Sequence, residues 1–336
     1  MSVEAVNPRA GAMLRPEPWY RRMLGDGTTV IVAILVVLLV VFAATQSDAL
    51  TQSVLTDILN NSLPLALAAA GGTLVVLTRG FDLSVAGVVS LTNVLVAVHA
   101  GDGPLGALQG LAVAVAVGAL VGAVNGVLVA YWNLQSIALT LASMIVCSGA
   151  ALLVLDAPGG NVSDFMVYDL TDRIAGTVPV ALAVGVGVYA VWFLLRRTDW
   201  GIRLYAVGAD ETAAVLAGIP VRRTKVIAYV LAGICYGLAG FMLTALTATG
   251  TPNVGDPYLL LVFAAIALGG TSFAGGRGGV AGSMLGALTL TLLQKVLFST
   301  GVSSFYTGIF QGAVMVLAVV IAAISARFSS QGEARS

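Results

Sequence analysis

The side chains best placed to do chemistry in this sequence are uncharged groups inside apolar runs. They are Asn93, Asn125, Gln294 and Gln311, with Phe305-Tyr306 at the head of the last run. Amides hydrogen-bond hydroxyls, and an aromatic face suits the C–H face of a pyranose, so this is the chemistry of recognition. Each amide is equally explained by a hydrogen bond between neighbouring helices. Groups that make and break bonds are missing: there is no H-E-x-x-H, no G-x-S-x-G and no cluster with metal-ligand spacing. The single histidine, His99, falls near the end of a run, as a structural interface residue would. No catalytic residue and no metal site are expected.

The elements that must position these groups follow from composition. Of 336 residues, 58% are hydrophobic and 10% charged, and the mean hydropathy is +0.98. A soluble domain carries roughly 25% charged residues, so the chain is an integral, all-α membrane protein. A formal net charge of zero argues against nucleic acid as a partner, because phosphate binding needs a basic surface. Cys147 and Cys235 lie within apolar runs and read as small buried hydrophobes. The first run, Thr29 to Ala44, follows a polar lead with Arg9, Arg15, Arg21 and Arg22. A signal peptide competes here, but the lead is long and the run exceeds the ~7–15 residues of such a segment. An uncleaved first span is expected.

A bilayer takes about 20 apolar residues as helix. Ten runs qualify: 28–46, 53–78, 84–100, 105–131, 134–156, 177–195, 226–249, 258–270, 280–298 and 305–326, of which 258–270 is short. With the N-terminus in the cytoplasm, ten spans put fourteen of the sixteen Lys and Arg inside, all but Arg173 and Lys295. The expected organisation is a cytoplasmic tail (1–27), a transmembrane domain (28–326) with a cytoplasmic loop (196–225), and a second cytoplasmic tail (327–336). Asp57 and Lys295 sit near outer ends, where they can snorkel. No ionisable group lies at midplane as a proton-coupled carrier needs. A sodium-coupled one stays open. Gly118, Gly122 and Gly126, then Gly278, Gly282 and Gly286, and Gly233 with Gly237 form small-residue faces for close helix packing.

The 196–225 loop is the long polar segment between spans and holds six of the sixteen Lys and Arg. Asp210 is a good N-cap and Glu211 suits the positive end of a helix dipole. Ala213 to Ala217 favour helix, Gly218 suits a left-handed C′ position, and Pro220 blocks continuation. Two turns of helix are too short to stand alone, so this helix must dock. An interfacial helix wants large apolar groups opposite Lys and Arg. Ala214, Val215 and Leu216 between charged flanks fit a groove on a partner better.

AVGADETAAVLAGIPVRRTKVIAYVLAGICYGLAG resembles the cytoplasmic loop and following span of the permease subunits of bacterial ABC importers for monosaccharides, such as the ribose, xylose and arabinose permeases. GGTLVVLTRGFDLSVAGVVSLTN (71–93), with its Asp82-Leu83-Ser84-Val85 signature, ALGGTSFAGGRGGVAGSMLGAL (267–288) and GVSSFYTGIFQGAVMVLAVVI (301–321) match the same family in order; NGVLVAYWNLQSIALTL (125–141) matches more loosely. The resemblance covers about residues 60 to 326. It implies that Asp210, Glu211, Ala214, Leu216, Ala217, Gly218 and Ile219 belong to the coupling helix seated in a groove of a cytoplasmic ABC ATPase subunit. It also implies a second permease copy or paralogue, an extracytoplasmic sugar-binding protein, and a multi-pass place among the lipids of the bacterial inner membrane. ATP and Mg would bind the partner ATPase, since this chain has no G-x-x-x-x-G-K-[ST] loop and Gly275-Gly276-Arg277-Gly278-Gly279 reads as a tight turn. The family commonly has glycine at Arg79, a small aliphatic at Phe81, and less bulk at Tyr131 to Leu134. The expected function is import of a monosaccharide or similar solute, and the rival is a stand-alone carrier or channel.

Overall fold

The computed structural model describes residues 27–301 and, past those, residues 306, 309, 312 and 313 alone. Most of the tenth run, with Phe305 and Gln311, lies outside the described residues. The helices are α1 (Gly27–Thr45), α2 (Gln52–Leu77), α3 (Val85–His99), α4 (Gly103–Tyr131), α5 (Ser136–Val154), α6 (Val180–Leu195), α7 (Asp199–Ala209), α8 (Glu211–Leu216), α9 (Val221–Thr247), α10 (Tyr258–Leu268) and α11 (Val280–Ser299). Between α5 and α6 lie a π-helical turn (Phe165–Asp169) and a minimal antiparallel ribbon, β1 (Arg173–Ile174) with β2 (Val178–Pro179).

Among the described residues, α2, α4, α5, α9 and α11 are long and apolar enough to cross a bilayer singly. The runs read as spans at 84–100 and 258–270 are shorter as helices, with 15 residues in α3 and 11 in α10. At 1.5 Å per residue they rise about 22 and 16 Å, against ~30 Å of hydrocarbon. Both are walled in by other helices, with Val85–Ser90 and Val262–Ala267 buried. A helix sheltered by protein need not match the lipid thickness. The 258–270 run is thus a half-length helix. A further difference lies in the polar loop, where α7 precedes the expected short helix and leaves α6 at 80°.

The glycine faces set the packing. A Cβ on Gly118 would fall 2.1 Å from Gly233 O, and one on Gly237 would fall 2.1 Å from Ala114 O, so α4 and α9 touch backbone to backbone. Gly282 and Gly286 do the same for α11 against Gly269 and Ala265. Gly278 does not belong to that face: it stands in the preceding turn at φ +109°, where it helps the chain reverse before α11.

Connections gather at two ends of the bundle. At one, the 78–84 turn, the α6–α9 segment and the 269–279 turn meet, with Gly276 N donating to Leu77 O at 3.1 Å and Tyr205 Oη to Gly278 O at 2.8 Å. At the other, the 155–179 segment folds over the helix ends. Asn161 N donates to Ala97 O at 2.9 Å, Asn60 Nδ2 to Thr171 O at 2.6 Å, and Gly159 bridges Gly250.

Candidate functional site

α8 has the start and stop read from its residues. Asp210 Oδ1 accepts from Ala213 N at 2.9 Å, while Asp210 N closes the last turn of α7 on Ala206 O at 3.2 Å. One residue therefore ends one helix and begins the next. At the far end Gly218 N donates to Val215 O and Ile219 N to Ala214 O, both at 3.0 Å, with Gly218 at φ +73°. This paired closure needs a left-handed residue, which glycine supplies most easily.

A helix this short borrows its order from its mounting. Ala214 is 4% exposed and packs with Val207, Val221 and Ile219. Glu211 is held by Lys225 Nζ through both carboxylate oxygens, at 2.8 and 2.7 Å. The opposite side is bare: Val215 is 59% and Leu216 84% exposed. The pinned helix thus turns an apolar pair outward, away from the rest of the described residues. The surrounding bases are braced as well, with Arg197 stacked 4.0 Å over the Phe193 ring and Arg222 5.6 Å over Tyr131.

The 78–84 turn sits beside this segment and is its buried counterpart. Asp82 is 2% exposed. Its Oδ1 accepts from Ser84 N at 3.0 Å and Ser84 Oγ at 2.5 Å. The chain of bonds continues from Asn125 Nδ2 to Ser84 Oγ at 3.1 Å and from Ser143 Oγ to Asn125 Oδ1 at 2.5 Å. Leu83 N donates to Thr140 Oγ1 at 2.9 Å, and Tyr229 Oη to Phe81 O at 3.4 Å. The signature thus ties α3, α4, α5 and α9 together. Burial pushes the Asp82 carboxyl up to about 6, and its Ser84 hydrogen bonds offset part of that rise. Asp82 Oδ2 and Tyr236 Oη are buried and have no hydrogen-bond partner among the described residues.

The turn begins with a backbone oddity. Arg79 has φ +64° and occupies the left-handed position that closes α2, with Arg79 N on Val76 O at 2.9 Å and Gly80 N on Val75 O at 3.1 Å. A non-glycine residue there costs about 1–2 kcal/mol. A cavity of about 230 Å³ lies between this turn and α8, lined by Arg79, Asn133, Glu211, Lys225 and Tyr229 among others.

Of the amides named from the sequence, Asn93 and Asn125 enter separate hydrogen-bond networks, and Gln311 lies outside the described residues. Asn93 is fully engaged on its own account, donating to Thr244 Oγ1 at 2.8 Å and accepting from Thr251 N at 2.6 Å. Asn125 belongs to the separate Ser84–Ser143 chain. Gln294 is half-buried on α11, and Tyr306 is exposed. His99 Nδ1 bonds its own helix at Leu95 O, 3.0 Å away. Ser84 was named in the signature turn, but Ser143 and Thr140 escaped the sequence reading as polar partners; hydroxyls on small residues in apolar runs are common and give no distinguishing signal.

Comparison with known proteins places this architecture. A family described as the branched-chain amino acid transport system, permease component, matches residues 54–319. The chain belongs to that permease family. It is 35% identical over 292 residues to the ribose import permease protein RbsC of Escherichia coli K12, covering 85% of this chain and 91% of that protein. The Bacillus subtilis ribose import permease protein RbsC is 36% identical over 76% of this chain and 80% of its own length. The L-arabinose ABC transporter permease protein AraH of Azospirillum brasilense is 32% identical over 86% of each. No solved structure matches the permease.

Proposed function

We propose that this permease is the ten-span membrane subunit of an ATP-driven importer for a monosaccharide or similar polyhydroxylated solute. Residues 1–27 and 327–336 form cytoplasmic tails and 28–326 the transmembrane domain, in the bacterial inner membrane. The observation that carries this reading is the exposed Val215-Leu216 pair on a helix whose other face is pinned. The gathering of the 78–84, 196–220 and 269–279 segments at one end supports the alternation of spans. So does the acid beside each cation assigned outside, Asp172 at Arg173 and Asp57 at Lys295.

In this reading α8 sits in a groove of a separate ATPase subunit, which binds ATP and Mg. Closure of two such subunits draws the α8 helices of a permease pair together. Asp210 passes that displacement to α7, and Lys225 passes it to α9. A path between the permeases then alternates its access, fed by an extracytoplasmic binding protein. The relatives are named for ribose and arabinose, which supports a sugar cargo, whereas the family description names branched-chain amino acids.

Reconstitution tests the reading. The permease, co-expressed with an ATPase subunit and purified through a tag on the permease alone, is expected to bring that subunit down. In proteoliposomes with a sugar-binding protein it should take up labelled pentose or hexose only with ATP inside. Leucine uptake under the same conditions would move the cargo to amino acids. ATP-independent uptake by the pure permease would overturn the importer in favour of a stand-alone carrier.

A further inference from the structure

The left-handed Arg79 has a task that explains why a side chain stands where glycine fits best. Its Nε donates to Gly208 O at 2.8 Å and its terminal nitrogen to Ala209 O. Those are the last carbonyls of α7, which have no amide partner within their own helix because Asp210 breaks the register. A guanidinium there satisfies two orphan acceptors and places a positive charge at the negative end of the helix. The two bonds are the side-chain hydrogen bonds that join the 78–84 turn to the α7–α8 segment among the described residues. Beyond them the 230 Å³ cavity separates that turn from Glu211 and Lys225.

The stem of Arg79 is also built in. A Cβ on Gly275 would lie 2.5 Å from Arg79 Cγ, so the 269–279 turn leaves room for the arginine to pass on its way to α7. Gly208 and Gly276 meet Leu77 by backbone alone, a Gly208 Cβ falling 1.8 Å from Leu77 O. Three segments thus converge on one point, and one side chain crosses it. Its landing site is immediately ahead of Asp210, the cap that α8 depends on.

We propose that Arg79 is a positioning residue for energy coupling: its fork fixes the root of the α7–α8 segment to the Asp82 turn, so that displacement of α8 reaches the buried network instead of being lost in the cavity. This rests on the importer reading above. Without the fork, the ATPase subunits still dock and hydrolyse, but their stroke is poorly transmitted.

Arg79→Gly keeps the left-handed turn and relieves its strain while removing the fork with its stem. The uptake-to-hydrolysis ratio, which a loss of packing alone would not move, separates this from a merely structural role. The complete complex, permease with ATPase subunits and binding protein in proteoliposomes, is assayed for uptake and hydrolysis together. The expected result is a complex that assembles, melts within about 2 °C of wild type, hydrolyses ATP, and imports at least fivefold less solute per ATP. Arg79→Lys, which reaches one carbonyl and not two, should fall between. An unchanged uptake-to-hydrolysis ratio in Arg79→Gly overturns the proposal, as does a variant that fails to assemble or loses uptake and hydrolysis in equal measure. Failure of wild-type permease to import with ATP would instead overturn the importer reading, and with it this one.

Discussion

Two turns at the same end of the bundle stop their helices alike and fill the critical position differently. α2 closes with Arg79 at φ +64°, and α10 closes with Gly270 at φ +76°, Gly270 N on Ala267 O and Thr271 N on Ile266 O. Phe81 from one turn stacks on Phe273 from the other at 5.8 Å, so they share surroundings as well as geometry. The 269–279 turn answers its backbone demand with glycines and reaches its neighbours mostly through main chain. The 78–84 turn tolerates strain and, in return, holds a forked side chain and a buried carboxyl. At the same backbone geometry, a glycine leaves the turn to main-chain contacts, whereas an arginine trades local strain for two side-chain hydrogen bonds to the end of α7.

The junction of the two turns offers the largest effect. Gly208→Val would drive a side chain into Leu77 O and Gly276 N, and should destabilise by on the order of 4 kcal/mol, read as loss of monodisperse protein in detergent. Gly218→Val shares the left-handed demand but has open space around its Cβ, so only about 1–2 kcal/mol should go. Equal losses at the two sites would erase the distinction between a packed crossing and a free helix end.

Leu216→Arg comes next. Its side chain is exposed, so thermal stability should move by less than about 0.5 kcal/mol, while ATP-driven uptake drops at least tenfold. Normal uptake in this variant would sever α8 from the energy source. A finer comparison sets the two left-handed positions against each other. Gly270→Ala should cost about 1 kcal/mol, and Arg79→Gly should melt higher than Arg79→Ala by a similar amount, measured in paired thermal scans. No gap at position 79 would mean the turn relaxes without strain.

The smallest expected effect concerns acidity, which only the 78–84 turn should show. An unfolded aspartate releases its proton near 3.8, whereas folded Asp82 holds it to about 6. Its contribution to stability is therefore full below the lower value and is lost as pH rises through the upper one. Between pH 5 and 7 that amounts to about 1 kcal/mol. Asp82→Asn should flatten this slope in unfolding scans run at the two pH values, and a slope unchanged by the substitution would remove Asp82 as its source.

What the residues disclosed on their own was uneven for physical reasons. The runs that fold as α2, α4, α5, α9 and α11 were legible because lipid demands long apolar helices, and the ends of α8 were legible because Asp210, Gly218 and Pro220 are strong local signals. α7 went unread: DWGIRLYAVGA buries only Leu204 and Val207 among its larger apolar groups, and its order comes from packing on Leu77 and Trp192. The extents of α3 and α10 were read to within two residues and 258–270 was read as short, but that protein walls in both helices was not, because a hydropathy pattern does not say whether lipid or protein surrounds it. Directly bonded pairs in the Asp82–Ser84–Asn125–Ser143 chain lie up to 41 positions apart, and no local rule pairs them. Arg79 was visible only as an unexpected residue.

The double duty of Asp210 carries a mechanical consequence. Its amide terminates α7 and its carboxylate starts α8, so the joint between them has no residue to spare and hence no slack. Rods of about 16 and 9 Å meet at a welded elbow. In the importer proposed above, a force at the tip of the shorter rod would turn the longer one as a crank, the short arm taking its stiffness from Ala214 packed on Val207 and Val221 and from Glu211 held by Lys225.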